Sequence, residues 1–184
     1  MKIITIPILS DNYSYLIIDK DSKNCSAVDP ASPKEIIPFL EKEELNLKNI
    51  LNTHYHNDHT EGNLELKEKY KCKIYGPEKE KNQIPGIDIY LKDNDTIKLN
   101  NYDAKIFETP GHTAGHIIYW FEEEKILFTG DTLFVLGCGK LFEGTPQVMW
   151  NSLLKIRNLP KETKIYCGHE YSKSNADFAL SLEK

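Results

Sequence analysis

The stretch NTHYHNDHTEGN, residues 52–63, places His54, His56, Asp58 and His59 within six positions of a chain that has six histidines in all. Crowding three imidazoles and a carboxylate into a turn-rich segment brings no packing benefit; it is the composition of a metal-binding loop. His54 and His56 are two apart, so on an extended segment their side chains point the same way and can converge on one ion. Asp58 and His59 follow in a loop, where successive side chains can aim at different targets. Three more candidates stand next to glycines, which let the backbone turn sharply: His112 in TPGHTAGH, Asp131 in LFTGDTLF and His169 in IYCGHEY. Taken singly, His112 and His169 are ordinary hydrogen-bonding histidines and Gly-Asp-Thr is an ordinary turn. With the cluster at 54–59 they make seven ligands, too many for one ion, which divide into two sites sharing a carboxylate. Imidazole and carboxylate without thiolate suit zinc, iron(II) or manganese. A His/Asp set with open positions reads as catalytic rather than structural. His116, followed by Ile117 and Ile118, is a structural or supporting histidine.

Short elements must position these residues. Strands are expected at 3–8, 15–19, 25–28, 49–52, 73–75, 87–91, 96–99, 104–108, 117–121, 126–128 and 165–167, rich in β-branched and aromatic residues and broken by turns. Ser32-Pro33-Lys34-Glu35 reads as a capped helix start with a capping box, the helix ending near Leu45. Further helices are expected over 62–70, from Thr145-Pro146 with Val148, Met149, Leu153, Leu154 and Ile156 on the apolar side, and over 174–182 from a Ser-x-x-Asp start. Strands with interspersed helices and no linker, repeat or low-complexity segment predict one layered α/β or α+β domain over residues 1–184.

The net charge of −5, from 23 basic and 28 acidic residues, argues against a nucleic-acid partner. No apolar run approaches the ~20 residues that span a bilayer, so no membrane partner is expected. Cys25, Cys72, Cys138 and Cys167 are far apart, without a CxxC pair, and the N-terminus lacks the pattern of an export signal. Both point to a cytoplasmic protein. Cys138, between two glycines, reads as a packing residue.

THYHNDH resembles the THxHxDH signature of the metallo-β-lactamase superfamily, and GHTAGH, FTGDTLF and CGHEY resemble its later metal motifs in the expected order. The segments GCGKLFEGTP and YCGHEYS, with the ILSDNYSYLI start and AVDP, are similar to the glyoxalase II family of hydroxyacylglutathione hydrolases. The resemblance covers essentially the whole chain. It implies an α+β fold, a four-layer αββα sandwich with two divalent cations at the edge of the packed sheets, zinc first and iron or manganese as substitutes. It implies that His54, His56 and His112 hold one cation, that Asp58, His59 and His169 hold the other, and that Asp131 bridges them. Asp29 would orient a ligand histidine, or else be a strand-end turn residue. The implied reaction is hydrolysis of a small-molecule glutathione thioester, S-(2-hydroxyacyl)glutathione, by a bridging hydroxide that both cations hold, with Asp58 and Asp131 as its catalytic carboxylates. Lys140 and Tyr171 would contact the glutathione part, and Phe142 stands where some members carry Tyr.

Such chains usually continue past HEY through a helical region that supplies basic side chains to the glutathione carboxylates, whereas this sequence stops at Lys184. The expectation is therefore a fold lacking that region, weaker glutathione binding, and apolar residues from Phe178 to Leu182 either exposed or paired across a weak homodimer. The alternatives are a related thioesterase, a persulfide dioxygenase-like enzyme with one iron, and a decayed, non-catalytic metal-binding protein. The acidic balance and GCGKLFEGTP disfavour a β-lactamase or an RNA-processing hydrolase.

Overall fold

The computed structural model describes residues 1–183. Strands β1 (Lys2–Ile8), β2 (Asn12–Ile18), β3 (Asn24–Val28), β4 (Asn46–Leu51), β5 (Lys73–Pro77) and β6 (Ile89–Leu91) form one sheet in chain order. Its first three strands run antiparallel and β3 through β6 run parallel. Strands β7 (Thr96–Leu99), β8 (Tyr102–Glu108), β9 (Ile117–Phe121) and β10 (Ile126–Gly130) form an antiparallel second sheet, which β13 (Lys164–Cys167) extends in parallel beyond β10. A two-residue hairpin, β11 (Leu133–Phe134) with β12 (Gly137–Cys138), lies between.

The strand period of two sorts the apolar residues into three cores. Tyr15, Ile17, Val28 and Leu51 of the first sheet meet Ile106, Ile117, Tyr119 and Phe128 of the second. The alternate residues face outward. Leu16, Ala27 and Ile50 pack under α1 (Pro33–Lys42) and α3 (Asn63–Tyr70) through Ile36, Leu40 and Leu66. Ile118, Trp120 and Leu127 pack under α4 (Pro146–Arg157) through Ile156. The result is the α+β, αββα sandwich. Every residue of β9 is buried because both faces of that strand are covered; each fully buried large side chain contributes about 1.5–3 kcal/mol.

The local signals held unevenly. Thr145 caps α4 as its sequence suggests, its Oγ1 accepting the Val148 N–H at 3.3 Å. Ser32 occupies the first cap of α1, yet its side chain makes no capping bond, and the helix ends at Lys42 rather than near Leu45. The last helix, α5 (Ser172–Leu182), starts before Ser174, so Ser174 and Asp177 lie inside it and form no cap. Phe178, Leu180 and Leu182 are exposed. No helix among the described residues is long and apolar enough to cross a membrane.

Candidate metal centre

Both sheets hold the histidine-rich segment that leaves β4. The Tyr119 hydroxyl, buried in the inter-sheet core, donates to the Asn52 carbonyl at 2.8 Å, and the Ile117 N–H donates to the Thr53 carbonyl at 2.9 Å. From the first sheet, Asp29 accepts the Thr53 N–H at 2.8 Å and the Thr53 hydroxyl at 2.7 Å. The chain then enters a single helical turn, α2 (Asn57–Thr60), where a loop is expected from sequence. Thr60 Oγ1 closes the turn on the His56 carbonyl at 3.1 Å. Asp58 in its first turn is favoured by the helix dipole. Successive residues on a helix diverge by about 100°, so Asp58 and His59 reach the same group from different sides.

Two groups of ligand atoms result. His54 Nε2 and His112 Nε2 each lie 3.0 Å from His56 Nδ1. His59 Nε2 lies 3.3 Å from His169 Nε2, and Asp58 Oδ2 stands 3.5 and 3.4 Å from those two nitrogens. Asp131 stands between the groups: Oδ2 is 3.3 Å from both His112 Nε2 and His169 Nε2, and Oδ1 is 3.4 Å from His59 Nε2. The structure therefore brings all seven sequence candidates to one place, at the ends of β4, β10 and β13 and in the loop before β9.

The far side of each ring fixes its tautomer. His112 Nδ1 faces the Lys140 carbonyl at 2.8 Å, His59 Nδ1 faces Asp29 Oδ2 at 3.1 Å, and His169 Nδ1 faces Asp11 Oδ1 at 2.8 Å. These partners only accept, so each Nδ1 carries a proton. The Thr53 hydroxyl is already committed as a donor to Asp29, so its lone pair accepts from His54 Nδ1 at 3.0 Å. Four Nε2 atoms are thus turned toward the two groups, where a cation would take the place of any proton they carry.

This arrangement fits divalent cations. Zinc–nitrogen bonds of about 2.0–2.1 Å in tetrahedral geometry separate the nitrogens by about 3.3 Å, close to the spacings found. Asp131 Oδ1 is buried and accepts no hydrogen bond from any side chain or backbone group. The titration shifts show the same demand for positive charge. Burial opposes ionisation of Asp131, but His59, His169 and His112 outweigh it and hold the carboxyl at about 2. Burial likewise disfavours charge on His169, yet Asp131, Asp58 and Asp11 push it up to about 10. Burial and the surrounding imidazoles hold His54 well below its ordinary value, in the neutral form that ligates.

His116 makes none of these contacts with the ligand groups. Its Nε2 accepts the Asp131 backbone N–H at 3.1 Å, and its Nδ1 meets the Thr109 and Thr132 hydroxyls at 3.2 and 3.1 Å. Burial pushes its pKa down to about 3, so it stays neutral and holds Asp131 from behind. Two glycines leave room for this packing. Gly130 has φ +47, and a Cβ there would lie 2.4 Å from Thr53 Oγ1; a Cβ on Gly168 would lie 2.3 Å from Asp131 Oδ1.

A cavity of about 490 Å³ opens over the centre, walled by Lys140, Phe142, Phe134 and Tyr171. Phe142 stands edge-on to His56 and His112, with Lys140 Nζ 4.8 Å from its ring centre, and Tyr171 stacks on His169. Cys138 is exposed and so is not the packing residue its glycine neighbours suggest. Sequence reasoning missed Asp11 and Asn12, which touch His169 and Asp58. The Asp-Asn pair in ILSDNYSYLI, a polar turn ahead of a strand, was the available signal.

Comparison with known proteins agrees with this geometry. Residues 10–169 match the model of the metallo-beta-lactamase superfamily. A hydroxyacylglutathione hydrolase of Pelagibacter ubique is 53% identical over 184 residues, all of this chain and 77% of the relative. That of Methylococcus capsulatus is 46% identical over 183 residues, all of this chain and 72% of the relative. Among solved structures, the BLEG-1 B3 metallo-beta-lactamase superposes with a TM-score of 0.84 at 25% identity, over 91% of each chain. With the fold, the ligand motifs and the similarity over all of this chain in agreement, the chain belongs to the metallo-beta-lactamase superfamily and, within it, to the hydroxyacylglutathione hydrolases.

Proposed function

We propose that the protein is a two-cation thioester hydrolase that cleaves S-(2-hydroxyacyl)glutathione, with S-D-lactoylglutathione giving D-lactate and glutathione. The observation that carries this reading is the pair of ligand groups joined by Asp131 at the floor of an open cavity, in a chain 53% identical to a hydroxyacylglutathione hydrolase. His54, His56 and His112 hold the first cation, Asp58, His59 and His169 the second, and Asp131 both. When bound, two divalent cations, zinc in the first instance, supply an acidified water near neutral pH and positive charge for the developing oxyanion.

The protein's own groups do the rest. Asp58 reaches the cavity while Asn12 fixes its carboxylate, so it can orient the attacking water as well as bind. Neighbouring histidines and Asn12 keep its pKa low despite partial burial, so it is ionised at working pH. The departing thiolate is a weak base, with a thiol pKa near ~8.5, and leaves without a general acid. Lys140 and Tyr171 on the cavity wall contact the glutathione part. Phe142 offers a ring edge and no hydroxyl. Asp29 orients His59 directly and His54 through Thr53.

The test is hydrolysis of S-D-lactoylglutathione with elemental analysis of the same preparation. Turnover by protein carrying two cations per chain is expected. A doubly loaded protein without turnover would overturn the thioesterase reading. A single tight cation, with Asp58 or His169 replaceable at no loss, would overturn the two-cation reading.

A further inference from the structure

The turn between β1 and β2, with Asn12 at the start of β2, touches the second ligand group without contributing a ligand and without a hydrogen bond to the first. It is docked by backbone hydrogen bonds onto the loop after β13: Tyr13 N–H donates to the Gly168 carbonyl and Glu170 N–H to the Asp11 carbonyl, each at 2.8 Å. The Tyr15 hydroxyl adds a bond to the Cys167 carbonyl at 2.6 Å. This docking carries the side chains of Asp11 and Asn12 to two different ligands. Asp11 Oδ1 accepts from His169 Nδ1 at 2.8 Å, which turns His169 Nε2 toward the group. Asn12 is 5% exposed, and its Nδ2 donates to Asp58, to Oδ2 at 2.9 Å and to the carbonyl at 3.1 Å, with His169 Nε2 farther off at 3.5 Å. With one oxygen of Asp58 held in this way, the carboxylate cannot rotate freely away from His59 and His169. Neither side chain hydrogen-bonds His54, His56 or His112.

We infer that Asp11 and Asn12 are positioning residues for the second cation, setting its affinity separately from that of the first. The inference rests on the two-cation reading. Asp11 acts through charge and tautomer, and Asn12 through the orientation of a carboxylate. Outer partners of metal ligands commonly change affinity by about 10–100-fold, and an effect of that size is expected on one cation of the two.

The experiment is titration of metal-free protein with Zn(II), by calorimetry and by elemental analysis after graded chelation, for wild type, Asn12→Ala, Asp11→Ala and Asp11→Asn. Thermal melts of the metal-free forms accompany it, so that a variant that fails to fold is recognised and the milder Asp11→Asn carries the test. Expected is one step unaltered and the other weakened about 10–100-fold in the alanine variants. Asp11→Asn should fall between, because its amide oxygen still accepts from His169 without the charge. Two steps unchanged, or both weakened in parallel, would overturn the inference while leaving the two-cation reading intact. A wild type that takes up one cation would overturn both.

Discussion

His54, His56 and His112 form an all-imidazole group whose outer contacts are neutral: the Thr53 hydroxyl behind His54 and the Lys140 carbonyl behind His112. Asp58, His59 and His169 form a group with a carboxylate of its own and two more behind it, Asp29 at His59 and Asp11 at His169. The neighbouring carboxylates raise His59 and His169 above their ordinary values, whereas burial and like neighbours lower His54 and His56. The first half is therefore set by the placement of neutral lone pairs, and the second by charge. Asp131 belongs to both, and Asp29 connects them, because it holds His59 and Thr53 at once.

The strongest way to break the contrast is to remove what the halves share. Asp131→Ala should release both cations and lower kcat/KM for S-D-lactoylglutathione by at least about 10³-fold. His54→Ala should cost as much activity yet leave the second group able to bind. Elemental analysis and kinetics on folded protein, checked by circular dichroism, read both. Asp29→Ala comes next. It should weaken both cations by about 10–100-fold, seen in competition with a chelator; a loss confined to one would show that Thr53 does not relay its effect. Lys140→Ala sharpens the contrast from outside the centre. It should raise KM about tenfold, the loss of one charge-assisted hydrogen bond, with kcat and cation content unchanged. If kcat falls instead, Lys140 acts on the reacting centre.

The effect farthest from the chemistry is on stability, behind the loop that carries His112. Glu80 is buried, and its Oε1 accepts from Thr113 Oγ1 at 2.5 Å and the Gly115 N–H at 3.0 Å. Burial outweighs these bonds and raises its pKa to about 7. A carboxyl with a raised folded pKa keeps its proton in the native state after the unfolded chain has lost it. The native state then binds more protons than the unfolded one, so stability falls as pH rises from the unfolded value of about 4.3 toward 7. Glu80→Gln should remove this slope in chemical denaturation across that window; an identical slope in the variant would show that Glu80 is not its source.

The seven candidate ligands were legible in the sequence because each sits inside its own short motif, where a glycine, a strand end or a two-residue spacing states the local geometry. Asp29 was half legible, as a strand-end acid with two readings, and both have a counterpart: its backbone turns at φ +46 and its carboxylate meets Thr53 and His59. Asp11 and Asn12 were not legible as site residues, since Asp11 meets His169 across 158 positions and Asn12 meets Asp58 across 46. Such contacts arise from how the β1–β2 turn docks on the second sheet; the Asp-Asn pair marks a polar turn but not what that turn meets. The alternation that sends Tyr119 inward and Trp120 under α4 was readable as strand, but which helix covers which face depends on sheet order. Helix starts were legible at Ser32-Pro33 and Thr145-Pro146 and misplaced only at Ser174; whether a capping side chain makes its bond, as Thr145 does and Ser32 does not, is settled by the packed chain.

Gly130 and Gly168 have a consequence for how this sequence can drift. Every single-base change in the first two positions of a glycine codon either stops the chain or writes a residue with a Cβ, and at these positions the Cβ would fall against Thr53 or Asp131. A substitution at either position would have to displace Thr53 or Asp131 from its place in the centre. Lineages that retain the chemistry are therefore expected to keep both glycines.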